Sequence, residues 1–211
     1  MNKGNKNRGI PPISELKGRR HGKSSYHMHD PQLVFNELNL REGDCFLDFG
    51  CGVGDYAVHA SKIVGDSGRV YALDISKTMV DGLTELADSQ GFKNVEAMVS
   101  DISHPLPIKN NCVDVCLIAT VLHIIGLAED GKKLFKEIYR VLKKDGQLSI
   151  INCKKEAQPF GPPLQMRLAP TEVEESLKKH GFEKTNIIDL GYNYMITFQK
   201  PENRQDFKEA Q

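Results

Sequence analysis

The sequence predicts an α/β domain built on a mostly parallel sheet with helices on both faces. Three observations carry this. Short apolar runs alternate with segments of helical period, the pattern of strands joined by crossover helices. The first such run, Phe46 to Ala57 (FLDFGCGVGDYA), breaks into a glycine-rich turn that leads into a helix. The last two runs are separated only by Gly191 and its neighbours, which makes them an antiparallel hairpin.

Each element follows from its residues. Pro31 to Leu40 (PQLVFNELNL) reads as a short helix, with a turn at Arg41–Asp44. Cys45, Phe46, Leu47 and Phe49 suit a strand buried on both faces. A helix covers Tyr56–Val64, Gly65–Gly68 turns, and Arg69–Leu73 is a second strand ending at Asp74. Thr78–Ser89 is a helix with Met79, Leu83, Leu86 and Ala87 as its apolar stripe, stopped by Gly91. Asn94–Val99 is a third strand ending at Asp101, and His104–Asn111, with two prolines, is a loop. Val113–Ala119 (VDVCLIA) is a fourth strand, apolar past Asp114. Leu134, Ile138, Val141 and Leu142 place a helix over Glu129–Leu142 against the sheet. Lys143–Gly146 turns the chain into a fifth strand, Gln147–Asn152. Thr171–Glu174 has the T-x-x-E form of a capping box and starts a helix that Gly181 ends. Strands at Glu183–Leu190 and Asn193–Gln199 close the domain.

Composition sets the outer bounds. At 211 residues the chain is expected to form one main domain over residues 31–200, between a basic arm or lid (1–30) and a charged tail (201–211). Lys plus Arg and Asp plus Glu balance at 28 each, so no global field recruits nucleic acid, which is disfavoured as a partner. Residues 1–29 are locally basic: Lys3, Lys6, Arg8, Lys17, Arg19, Arg20 and Lys23 stand against Glu15 alone. No run approaches the ~20 apolar residues of a membrane span, and the polar start lacks a secretory apolar core. Five cysteines in strand-like runs or beside the glycine turn favour reduced thiols and a cytoplasmic setting.

In doubly wound sheets ligands bind beyond the carboxyl ends of the strands. Asp48, Asp74, Asp101 and Thr120 all fall there, and Gly50, Gly52 and Gly54 allow the backbone to approach a ligand that side chains would block. Taken in order, LDFGCGVG (47–54), VYALDIS (70–76), VSDI (99–102), VDVCLIATVLH (113–123) and FKEIYRVLKKDGQLSI (135–150) resemble the class I S-adenosylmethionine-dependent methyltransferases, specifically their small-molecule, ubiquinone-biosynthesis-like branch. The resemblance covers residues 43 to 200. It implies a Rossmann-like seven-stranded sheet in the order 3-2-1-4-5-7-6, with the seventh strand antiparallel.

It also implies S-adenosyl-L-methionine as cofactor and a role for each matching residue. Asp48, Gly50, Cys51, Gly52 and Gly54 would surround the amino-acid end, whose ammonium needs an acceptor. Asp74 would take both ribose hydroxyls, as an acidic residue does in dinucleotide sites. Asp101 would accept from the adenine amino group, with the Ile102 backbone N–H on a ring nitrogen and Ile75, Met79 and Leu106 sandwiching the ring. Ala119 and Thr120 would present the fourth strand's end to the sulfonium. His123 follows that strand and is the candidate base, although methyl transfer from a sulfonium needs mainly positioning and exclusion of water.

The acceptor is expected to be a small molecule. The N/D-P-P-Y/F tetrad of amino methyltransferases is replaced by Ala119-Thr120-Val121-Leu122, and no large added domain is present to grip a macromolecule. Two segments would form its side of the site. Ser24–Asp30 (SSYHMHD) offers Tyr26, His27 and His29, and the proline-containing connection Cys153–Pro170 offers Arg167. His27 and His29 lack a third ligand, so no metal is expected.

Rival readings remain open beside this one. Gly52, Gly54 and Ala57 satisfy a dinucleotide G-x-G-x-x-A, but Asp48 would set its charge against a pyrophosphate. A thiol-dependent arsenite methyltransferase would need converging cysteines, whereas Cys112 and Cys116 lie ~13 Å apart along a strand. Cys45 and Cys116 read instead as small buried hydrophobes. A cofactor-binding regulatory or RNA-associated protein without methyl transfer is the alternative of another class. Oligomeric state and the acceptor atom are left undetermined.

Overall fold

A computed structural model describes residues 24–201. Its centre is one seven-stranded sheet in the order β3-β2-β1-β4-β5-β7-β6, formed by β1 (Cys45–Phe49), β2 (Arg69–Asp74), β3 (Val95–Val99), β4 (Val113–Ala119), β5 (Leu142–Cys153), β6 (Glu183–Leu190) and β7 (Asn193–Gln199). β1 pairs parallel with β2 and β4, β2 with β3, and β4 with β5, whereas β7 runs antiparallel to both β5 and β6. The strand order reverses between β1 and β4, so their carboxyl ends part to leave a crevice.

Two apolar layers hold the sheet. On one face α1 (Pro31–Leu38), α2 (Asp55–Val64) and α3 (Lys77–Gln90) bury Val34, Phe35, Leu38, Ala57, Ala60, Val64 and Leu83 against Phe46, Val70, Ala72 and Leu117. On the other, α5 (Glu129–Val141) and α6 (Pro170–Lys178) bury Leu134, Phe135, Ile138, Val173 and Leu177 against Leu47, Ile118, Ile150 and Phe198. Each of the Val, Leu, Ile and Phe side chains contributes roughly 1.5–3 kcal/mol by leaving water. β1 supplies both layers by alternation, Phe46 to one and Leu47 to the other.

Four local features differ from the sequence-based expectation. A short helix, α4 (Leu122–Ile125), follows β4; four residues are too few to show a helical period. β5 begins at Leu142, directly after α5. Val113 pairs with Leu142 and Val115 with Gln147, so Lys143–Gly146 is a bulge inside the strand rather than a turn before it. α6 starts two residues earlier than the T-x-x-E reading. Ala169 is its N-cap, Pro170 occupies the first turn, and the Glu172 carboxylate accepts from the Ala169 N–H at 2.6 Å. Glu174 is instead ion-paired with Lys184. Finally, the end of the expected arm is folded: Ser25–Met28 forms a 3₁₀ turn capped by Ser24 Oγ. Residues 1–23 and 202–211 lie outside the described residues.

Candidate active site

The glycine turn after β1 is laced to the end of β2. The N–H groups of Gly50 and Cys51 both donate to Leu73 O, at 2.7 and 2.9 Å. Gly50, Gly52 and Gly54 all have positive φ, at 77°, 52° and 87°. Their surroundings separate their roles. A Cβ on Gly50 would collide with Val121 and one on Gly54 with Leu83, whereas one on Gly52 would meet nothing within 4 Å. The first and third glycines are therefore needed for packing, and Gly52 opens the backbone toward the crevice.

Asp74, at the carboxyl end of β2, accepts from the Gly52 N–H at 2.9 Å through Oδ2 and from the Ser76 N–H at 2.8 Å through Oδ1. Each carboxylate oxygen keeps a lone pair for a further donor. Asp48 is 1 % exposed, and its Oδ2 has no hydrogen-bond partner among the described residues. Burial pushes its carboxyl up to about 7, opposed by the Ala57 N–H of α2 and reinforced by the charges of Asp74 and Asp55. A fully buried, half-satisfied carboxylate is costly unless something completes it.

The remaining expected cofactor residues spread along the same edge. Ile75 is 46 % exposed just past β2 and Met79 is partly buried in the first turn of α3. Asp101 is exposed and its Oδ1 accepts from the Ser103 N–H, with Ile102 half-buried beside it. Leu106 is part of the core, with its N–H fixed by Glu137. Ala119 is buried at the end of β4. Thr120 holds a left-handed φ of 54° while its N–H donates to Ile151 O. A threonine in that region costs on the order of 1–3 kcal/mol, a strain that clusters at functional sites.

His123 lies in α4 and is half-buried, its imidazole pushed down by desolvation, with no side-chain hydrogen bond among the described residues. Tyr26 and His27 lie on the 3₁₀ turn. Tyr26 Oη sits 2.8 Å from His59 Nδ1, and His27 Nε2 sits 3.6 Å from Asp55. Arg167, expected to face the acceptor, is 5 % exposed. Its guanidinium donates to the carbonyls of Lys154, Glu156, Phe160 and Pro162. With its donors spent on the connection itself, Arg167 shapes that wall and does not present a charge to a ligand.

Sequence reasoning missed three groups. Tyr56 is 4 % exposed, its Oη 2.9 Å from His29 Nε2 and 3.4 Å from Ser25 Oγ. Asn193 is fully buried, with Nδ2 facing His29 Nδ1 at 3.5 Å and Oδ1 without a partner among the described residues. Arg140 ties the loop after β3 to α5 by bonds to Leu106 O, Ile108 O and Asn110 Oδ1 while paired with Glu137. The sequence marked each only as a polar residue amid apolar neighbours. Burial pushes the Cys51 and Cys153 thiols up, which holds both protonated. Among the described residues no group of three metal-ligating side chains converges, and no helix is long and apolar enough to cross a membrane.

Comparison with known proteins gives a consistent result. The model of a family described as "Methyltransferase domain" matches residues 40–202. A solved S-adenosylmethionine-dependent methyltransferase from Aquifex aeolicus is similar with a TM-score of 0.77 and 33% identity, over 89% of this chain and 96% of that one. Demethylmenaquinone methyltransferase of Lactobacillus johnsonii is 33% identical over 60% of this chain and 50% of its own length. Arsenite methyltransferase of Halobacterium salinarum is 31% identical over 60% of this chain and 31% of its own. The match thus spans half or less of these two curated relatives.

Proposed function

Because the chain belongs to the methyltransferase domain family, we propose that it transfers a methyl group from S-adenosyl-L-methionine to a small, quinol-type acceptor. The observation that carries the cofactor reading is Asp48: a buried carboxylate with an unpaired oxygen beside a glycine turn whose Gly52 faces open space. An ammonium placed there completes the hydrogen bonding of Oδ2 and restores the charge that burial disfavours. When bound, the cofactor supplies an electrophilic methyl group on a sulfonium.

The chain's own residues do the rest. Asp48 and the turn hold the amino-acid end. Asp74, already oriented by two backbone donors, accepts from the ribose hydroxyls. Asp101, Ile102, Ile75 and Met79 bracket the adenine. Ala119 and Thr120 form the floor at the end of β4, where Thr120's forced backbone keeps the strand end in one position. The 24–30 segment and the Arg167-bound connection wall the acceptor side and exclude water. The acceptor class rests on relatives named for demethylmenaquinone and ubiquinone/menaquinone methylation. The arsenite alternative is weaker, since Cys51 and Cys153 are held as thiols rather than nucleophilic thiolates.

Incubation with methyl-labelled cofactor and a short-chain prenyl naphthohydroquinone tests the proposal. Label in the quinol fraction is the expected result. Cofactor binding with no labelled small product would move the protein to the non-catalytic class.

A further inference from the structure

A buried polar group, Asn193, lies outside the cofactor-binding set. Asn193, His29 and Tyr56 form a chain of contacts from the start of β7 to the start of α2: Nδ2 to Nδ1 at 3.5 Å, then Nε2 to Oη at 2.9 Å. Asn193 shares a sheet face with Met195, and Asp48 shares one with Phe46, by strand alternation. Met195, Phe46, Tyr56, Cys51 and Ala119 all belong to the same apolar layer. Asp48 and Asn193 therefore stand on one face of the sheet, separated by β4 and β5 and by four residues along the strand direction, ~20 Å apart. Each has an unpaired oxygen although both are at least 99 % buried. Tyr56 lies between them, close enough to Asp48 for that charge to act on its hydroxyl. If Asp48 receives the cofactor, the space over Ala119 toward Asn193 is the acceptor's.

We infer that His29 is the proton acceptor of the methyl-transfer site, acting through Tyr56 and oriented by Asn193. The inference rests on the methyltransferase reading and assigns it a base other than His123. As the ring carbon of a quinol takes the methyl group, its hydroxyl proton passes to Tyr56 Oη and Tyr56's own proton passes to His29 Nε2. The positive charge lost when the sulfonium becomes a neutral thioether, with the C–S electron pair on sulfur, reappears on the imidazole. The ring hydrogen that the methyl displaces goes to the carbonyl oxygen and re-forms the hydroxyl. To accept at Nε2 the neutral imidazole must carry its hydrogen on Nδ1, so both it and the imidazolium need an acceptor there. A half-turn of the Asn193 amide brings its unpaired Oδ1 there, which gives the orphaned atom its use.

The surroundings suit this role. Desolvation pushes the His29 imidazole down, so it starts neutral, while Asp30 beside it pulls the other way. Tyr56 is pushed up by burial, so it passes a proton without resting as a phenolate. The other groups packed around the pair are Ser25, Tyr26 and Asp55, with His59 behind Tyr26 and Lys62 acting on His59.

The test compares wild type with His29→Gln, Tyr56→Phe, Asn193→Asp and His123→Gln, using a short-chain prenyl naphthohydroquinone as acceptor. The pH dependence of kcat/KM is measured alongside NMR titration of the His29 ring in the cofactor-free protein. The wild-type rate should fall on the acid side with the midpoint that NMR gives for His29. His29→Gln and Tyr56→Phe should lose about 100-fold or more, and the deficit should shrink at alkaline pH, where the quinol ionises unaided. Asn193→Asp should move the NMR midpoint and the rate limb upward together, because a carboxylate favours the imidazolium. A limb that persists in His29→Gln and vanishes in His123→Gln would overturn the inference. So would an Asn193→Asp limb that stays put while the NMR midpoint moves. Absence of transfer by the wild type would instead defeat the underlying reading.

Discussion

Asp48 is where function and stability oppose each other most directly. Its folded carboxyl sits at about 7 against an ordinary 3.8. The folded state therefore binds the proton more tightly than the unfolded chain. The favourable difference is complete below about 4 and is lost as pH rises through about 7, by at most about 4 kcal/mol. Asp48→Asn keeps an acceptor for the Ala57 N–H and removes the charge. The cofactor-free variant should show a higher Tm than wild type at pH 8, a gap that closes toward pH 5, while its affinity for the cofactor falls at least tenfold. Calorimetry across pH and equilibrium binding check the two halves. At the glycines the expected outcomes differ by position. Gly52→Ala should fold with a loss of about 1 kcal/mol, the cost of φ 52° for a side chain, yet bind cofactor poorly. Gly50→Ala adds a collision with Val121 and should lose about 2–3 kcal/mol in chemical denaturation.

Among the elements, the connections after β3 and β5 are each held by one arginine, Arg140 and Arg167. Arg167, itself buried, ties four carbonyls of one loop to a single guanidinium. Arg167→Ala should loosen residues 154–162, read as faster amide exchange confined there, and raise the acceptor KM with little change in cofactor affinity. A bonded lysine cannot replace it, because only the guanidinium fork reaches several acceptors at once. Strand and helix positions followed from periodicity and turn signals, since β1, β4 and β7 have the residues their apolar runs demand and the more polar β6 lies between Gly181 and Gly191. The short α4 and the bulge at Lys143–Gly146 were not legible, because a single turn has no period and a bulge shows only once its partner strand is known. Thr171–Glu174 misled for a related reason: a capping box is a local pattern, and Pro170 with Glu172 supplied a competing start two residues earlier.

Across the whole molecule, the last residues of the sheet are tied to its middle. Lys200, 8 % exposed, donates to Asn111 Oδ1, Tyr139 O and Leu142 O, joining the end of β7 to the loop before β4 and the junction of α5 with β5. Lys200→Ala should lower stability by about 2–4 kcal/mol, seen as a lower urea midpoint, because it strands buried carbonyls. The site at the opposite, carboxyl end of the sheet should keep its cofactor affinity at temperatures where the variant is folded. The sequence alone determined the sheet class, the glycine turn and the three aspartates at strand ends, because each depends on residues adjacent in the chain. What it could not reveal is which polar groups meet. His29, Tyr56 and Asn193 are 164 residues apart at their extremes, and their proximity exists only once β7 lies beside β5 and the 24–30 segment folds over α2. The same packing commits the Arg167 guanidinium to the carbonyls of its own loop. Local pattern selects elements, whereas side-chain chemistry at a site is decided by which elements the core brings together.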